Sequence, residues 1–144
     1  MIRFQTIDVL LPGLDFDQVR EWIAAVVKGC GYNVGELYYY FCSDDALLDI
    51  NQRRLGHDFY TDIVTFPLDD SSRYVSSEFC ISLERVAENS VNFGRSFESE
   101  LLRVMIHGVL HLVGFDDHTP EEQAQMRSKE EECLDLYFNK LNIK

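Results

Sequence analysis

The sequence predicts an α+β domain, with about four strands in one mixed sheet covered by about five helices. Three observations lead there. The segments run β-α-β-α-β-β-α-α-α, so strands and helices alternate only at first and helices then accumulate. The helical stretches are bracketed by capping residues and glycines. One of them, FESELLRVMIHGVLHLV at 97–113, is apolar almost all the way round, as befits a helix buried in the middle of the molecule. A chain of 144 residues is expected to build one domain, 1–144, around one core.

Residues 2–10, IRFQTIDVL, partly alternate and read as a strand. A helix follows, with Asp15 as N-cap, Gln18 at the capping-box position, and Val19, Trp22, Ile23, Val26 and Val27 on one face. Gly29 and Gly31 close it. The aromatic run VGELYYYFC reads as the second strand. Ser43 caps a second helix that Gly56 ends. TDIVTFP is a short β-branched strand stopped by Pro67, and EFCISL, about 78–83, is another. A helix through ERVAENSV runs to Gly94, ahead of the apolar helix. Thr119, Pro120 and Glu122 then form a strong helix start, and that last helix is expected to reach about Leu141.

Composition narrows the function. Hydrophobic residues make up 46% and charged residues 26% of the chain, an ordinary globular balance. No apolar run approaches the roughly 20 residues of a membrane span, and MIRFQTIDVL lacks the features of a signal peptide. A cytoplasmic location with no membrane partner is expected. Cys30, Cys42, Cys80 and Cys133 are scattered and read as small buried residues. The net charge of −12 argues against a protein that wraps nucleic acid by neutralising many phosphates. Any action on RNA must then rest on a local basic patch or a bridging metal, and Arg53, Arg54, His57, Arg95 and Arg103 are the candidates for that patch.

The chemistry concentrates in HGVLHLVGFDDHT, 107–119. His107 and His111 are four apart on a helix, so both imidazoles leave one face, and that spacing suits a single zinc ion. Gly114 ends the helix and turns the chain back, so a residue just beyond it can supply a third ligand. Asp117 and His118 both qualify. The alternative reading, two core histidines satisfied by hydrogen bonds, does not account for the glycine and the polar cluster after it. The spacing is also that of zinc proteases of the HExxHxxGxxH type, except that Gly108 stands where their water-activating glutamate would be.

With these residues in view, the chain resembles the YbeY family of bacterial endoribonucleases, also called rRNA maturation factors. The family's H-G-x-L-H-L-x-G-[YF]-D-H is matched by H-G-V-L-H-L-V-G-F-D-D-H. NQRRLGHDFYTDIVTFP, 51–67, is similar to its second block, and SEFCIS, 77–82, to its G-[DE]-I-x-I-S. Glu100 falls where many members have an acidic residue. The family's third histidine corresponds to Asp117, with His118 one place late; its arginine corresponds to Leu55, with Arg54 adjacent, about 100° round the helix; and its lysine corresponds to His57.

The resemblance implies one Zn²⁺ per chain, with His107 and His111 as ligands and Asp117 or His118 as the third. It implies cleavage of single-stranded RNA in small-subunit ribosomal RNA maturation and ribosome quality control. The partners implied are the small ribosomal subunit and possible ribosome-assembly proteins. His107, His111, His57 and Arg54 are the candidate catalytic residues, while Asp58, Thr61 and Asp62 are expected to shape the cleft. Two other functions compete: a zinc-containing ribosome-assembly module without catalysis, and a metalloprotease-like hydrolase.

Overall fold

The computed structural model describes residues 1–68 and 73–141. Its strands are β1 (Ile2–Thr6), β2 (Asn33–Cys42), β3 (Ile63–Pro67) and β4 (Tyr74–Ser82). Its helices are α1 (Phe16–Gly29), α2 (Asp44–Leu55), α3 (Leu83–Asn92), α4 (Phe97–Leu112) and α5 (Pro120–Asp135), the last continuing as a π-helical turn, Leu136–Leu141. The four strands form one mixed sheet in the order β1-β2-β4-β3. β1 and β4 run parallel to β2, and β3 is antiparallel to β4.

Two boundaries differ from the sequence reading. β1 stops at Thr6 rather than continuing to residue 10. The amide of Ile7 still reaches the Phe41 carbonyl, but Asp8 turns away to accept both the amide and the hydroxyl of Ser43 at the start of α2. β4 begins at Tyr74, four residues before Glu78. Its first half carries Ser76 and Ser77, which blur the alternation. Ser77 is nonetheless fully buried, and Ser76 Oγ accepts the Glu36 amide where β2 bulges.

Strand alternation sorts the sheet into two unlike faces. Leu37, Tyr39, Phe41, Phe79 and Ile81 point toward α1 and α4 and make the main core. Cys42, Val64, Phe66 and Cys80 point the other way, under Leu47 of α2. The surrounding burial raises the thiols of Cys42 and Cys80 to about 12 and about 11. α4 is the most enclosed helix, with Leu101, Leu102, Val104, Met105, Ile106, Val109 and Leu110 all buried. The buried Tyr39 hydroxyl donates to the Met105 carbonyl at 3.0 Å and ties α4 to the middle of the sheet. Trp22 Nε1 donates to the Cys133 carbonyl at 2.6 Å, joining α1 to α5. α4 is thus fixed against the sheet, with one flank left to face α5. Among the described residues, no helix is long and apolar enough to cross a membrane.

Candidate metal centre

His107 and His111 occupy that remaining flank, near the C-terminal end of α4, and both are partly exposed. The helix ends in a Schellman motif: Phe115 N–H donates to Leu110 O, Gly114 N–H donates to His111 O, and Gly114 adopts φ +105°. Phe115 packs against the core and anchors the reversal. Three residues beyond the glycine, the chain has come back over the histidines. There the Asp117 carbonyl accepts Gln123 Nε2 from α5 at 3.1 Å. Thr119 and Glu122 complete the expected capping box and start α5.

Three donor atoms converge as a result. His107 Nε2 and His111 Nε2 are 3.0 Å apart, and Asp117 Oδ2 is 3.5 Å from each. Two ligands at 2.0–2.1 Å from a tetrahedral zinc stand about 3.3 Å apart, so the three atoms trace one face of such a tetrahedron. The residues therefore fit a zinc-class ion. His118 is exposed and lies outside this cluster; the turn presents the residue before it.

The surroundings favour positive charge at this point. Glu130, buried on α5, lies with Oε2 2.6 Å from His107 Nδ1. A carboxylate can only accept, so Nδ1 carries the hydrogen and Nε2 directs its lone pair into the cluster, an arrangement common among metal-binding histidines. Arg103, one turn before His107, donates two hydrogen bonds to the fully buried Glu100, at 2.9 and 2.7 Å, and one to Glu130 at 3.3 Å. Asp62 lies 4.0 Å from the same guanidinium. The bonds to Glu100 push the Arg103 guanidinium above the ordinary arginine range, against the opposing effect of burial. Burial pushes the Asp62 carboxyl up, while Arg103 and His107 act to lower it. Two buried carboxylates thus share one arginine, and the residual negative charge sits beside the donor cluster.

The cluster opens into a cleft of about 220 Å³ lined by Arg103, His107, Asp117, Gln123, Arg127 and Glu130, among others. The structure does not bring the other candidates there. Arg54 lies on the opposite face of the sheet from α4: its guanidinium stands 3.9 Å over the Phe66 ring and 3.8 Å from Glu78. α2 itself covers that face, and Arg54 near its end reaches the small core beneath it. Arg53 pairs with Asp49. His57 is exposed just after α2, with its ring stacked on Phe59; Asp62, at the end of the same loop, is the residue that approaches Arg103.

Sequence reasoning missed Glu130 and Arg127. Glu130 sits in the run KEEEC and looks like part of a solvated acidic face. Its signal was positional. Met126, Glu130, Cys133, Leu134 and Tyr137 are the buried stripe of the last helix, so this glutamate occupies a core-facing place.

Fold and cluster together define a class: α+β domains in which a core helix and the turn after it bring two imidazoles and a carboxylate together at an open cleft. The chain belongs to the YbeY family, whose model, Endoribonuclease YbeY, matches residues 12–137. It is 41% identical over 136 residues to the Endoribonuclease YbeY of Phocaeicola vulgatus, spanning 94% of this chain and 98% of that one. It is 43% identical over 133 residues to the protein of that name from Porphyromonas gingivalis, spanning 92% and 87%. The solution structure of TM1509 from Thermotoga maritima superposes with a TM-score of 0.69 at 29% identity, covering 99% of this chain and 92% of that one.

Proposed function

We propose that this chain is a metal-dependent endoribonuclease that cuts single-stranded RNA, with one Zn²⁺ held by His107, His111 and Asp117. The carrying observation is the convergence of those three donors, 3.0 to 3.5 Å apart, at an open cleft in a chain of an endoribonuclease family. We further propose small-subunit ribosomal RNA as the substrate, acted on in the cytoplasm during ribosome maturation and quality control. The small ribosomal subunit, or an assembly protein on it, would add to the few local RNA contacts that a chain of net charge −12 can make by itself.

A zinc ion in this place would supply Lewis-acid stabilisation of charge building on the phosphoryl oxygens. The protein's own residues do the positioning. Glu130 fixes the tautomer and ring angle of His107, and Arg103 holds Glu130 in turn. Gln123 holds the backbone of Asp117. His118, exposed and next in the chain to Asp117, would exchange a proton with solvent; His57, stacked on Phe59 outside the cleft, has no part in this proposal. Arg54 has no part in this proposal, because the sheet separates it from the cleft.

A structural zinc would call for four protein ligands and a closed shell, and only three donors meet here among the described residues. Peptide hydrolysis would call for a glutamate at 108, and a Cβ built on Gly108 would already lie 2.7 Å from the Phe79 ring. The test is metal analysis with RNA cleavage by the parent and His111→Ala. One zinc per chain and cleavage in the parent, both lost in the variant, support the proposal; cleavage by the metal-free variant at the parent's rate refutes it.

A further inference from the structure

The metal cleft does not end at Glu130. A second cavity, of about 410 Å³, shares Arg103, Arg127 and Glu130 with it and continues to Phe93 and Arg95. Its size falls in the range of small-molecule sites, roughly 300–1,000 Å³. Two of its three arginines are already engaged: Arg103 by Glu100 and Glu130, and Arg95 by Glu131. Arg127 is exposed and, among the described residues, has no carboxylate partner. In a chain with so large an excess of acidic residues, an uncompensated guanidinium at the junction of two cavities is a local site for an anion.

Phe93 supplies the second element. It is 62% exposed, yet its backbone is held firmly at the end of α3. Phe93 N–H donates to Asn89 O, Gly94 N–H to Val91 O and Arg95 N–H to Ser90 O, with Gly94 at φ +65°. This is a second Schellman motif. The positions where such a motif usually makes an apolar contact hold Arg95 and Ser90, and the Phe93 ring itself is left exposed. A rigidly mounted, exposed ring beside a free arginine is the combination that binds single-stranded nucleic acid by stacking and phosphate contact.

We propose that this second cavity is a subsite for a nucleotide of single-stranded RNA neighbouring the one cleaved, with Arg127 on its phosphate and the Phe93 ring against its base. This rests on the nuclease reading of the adjoining metal cleft. It places the strand along α5 toward the α3–α4 turn, across the face of the sheet opposite to Arg54.

The experiment measures binding of a fluorescent single-stranded RNA made resistant to cleavage by 2′-O-methyl groups and phosphorothioate linkages, using the full chain with zinc supplied. Phe93→Ala and Arg127→Gln should each weaken binding about 5- to 100-fold. Arg127→Gln should also flatten the salt dependence by roughly 0.7 in log–log slope, and Arg127→Lys should recover most of the affinity. Lys28→Gln, which removes a charge from the end of α1, should bind as the parent does. Parent-like binding by Phe93→Ala and Arg127→Gln, or no measurable binding by the parent, overturns the subsite. Cleavage of unmodified RNA by the same proteins separates the two claims. Cleavage with unaltered variant binding removes the subsite alone, and altered binding without cleavage removes the nuclease reading alone.

Discussion

The carboxylate of Glu130 lies 2.6 Å from Nδ1 of His107, so a residue of the last helix sets which nitrogen of the core helix faces the donor cluster. Arg103 binds the same carboxylate from the other side. Glu130→Gln keeps the shape of this contact and removes its charge. Zinc affinity should fall about 10- to 100-fold while the far-ultraviolet circular dichroism is retained. Calorimetric titration of zinc into chelator-treated protein measures this, and an unchanged affinity would mean that Glu130 only packs against the ring.

Gly108 shows why the residue after the first histidine cannot carry a side chain. A Cβ there would stand 2.7 and 2.8 Å from two atoms of the Phe79 ring and 3.0 Å from Ile63 Cδ1. All of these lie in the layer between α4 and the sheet. Gly108→Ala should therefore destabilise the fold by about 1–3 kcal/mol through overpacking, despite the better helix propensity of alanine. Thermal denaturation reads this directly, and a raised melting temperature would show that the layer has slack.

The proposal of Asp117 as third ligand rests on the turn. Asp117 Oδ2 is 3.5 Å from both imidazoles, whereas His118 is exposed and outside the cluster. Asp117→Ala should cost more zinc affinity than His118→Ala, and His118→Ala should lower cleavage while largely sparing occupancy. The reverse order in a zinc titration would place the ligand one residue later.

How much of this was legible in the sequence depended on whether the signal was local. The histidine pair, the helix-ending glycine and the capping box at Thr119 are read from spacings of a few residues, and each appears where it was expected. The sheet and its helices were also legible, because patterning and caps agreed along most of the chain. What escaped is non-local. Arg54 and the family's arginine position differ by one residue, and only the packing of α2 decides that this residue turns to Phe66. Glu130 is 23 residues from His107, within an acidic run that conceals its core-facing place. β1 ends early because Asp8 finds Ser43 across 35 residues.

That last contact predicts a dependence on pH. Asp8 accepts the Ser43 hydroxyl at 2.5 Å and the Ser43 amide at 2.8 Å. The hydroxyl contact first, then the amide, hold its carboxyl below the usual aspartate range. A lowered value in the folded state means that the stabilisation is present above the unfolded value, about 3.9. It is lost as pH falls through the folded one. Asp8→Asn should lower the melting temperature at neutral pH by no more than about 3 °C, since the site is exposed. The deficit should shrink as the pH drops below about 4. A deficit that grows toward acid would contradict the assignment.

The most direct test of the central claim is cleavage of a fluorescent single-stranded RNA while zinc is titrated into chelator-treated protein, parent and Asp117→Ala side by side. In the parent, cleavage should rise with added zinc and level off at one ion per chain, with the protein folded throughout. In Asp117→Ala it should stay near background over the same range. Cleavage by the parent that is indifferent to zinc, or a full response in Asp117→Ala, would contradict a metal centre built from His107, His111 and Asp117.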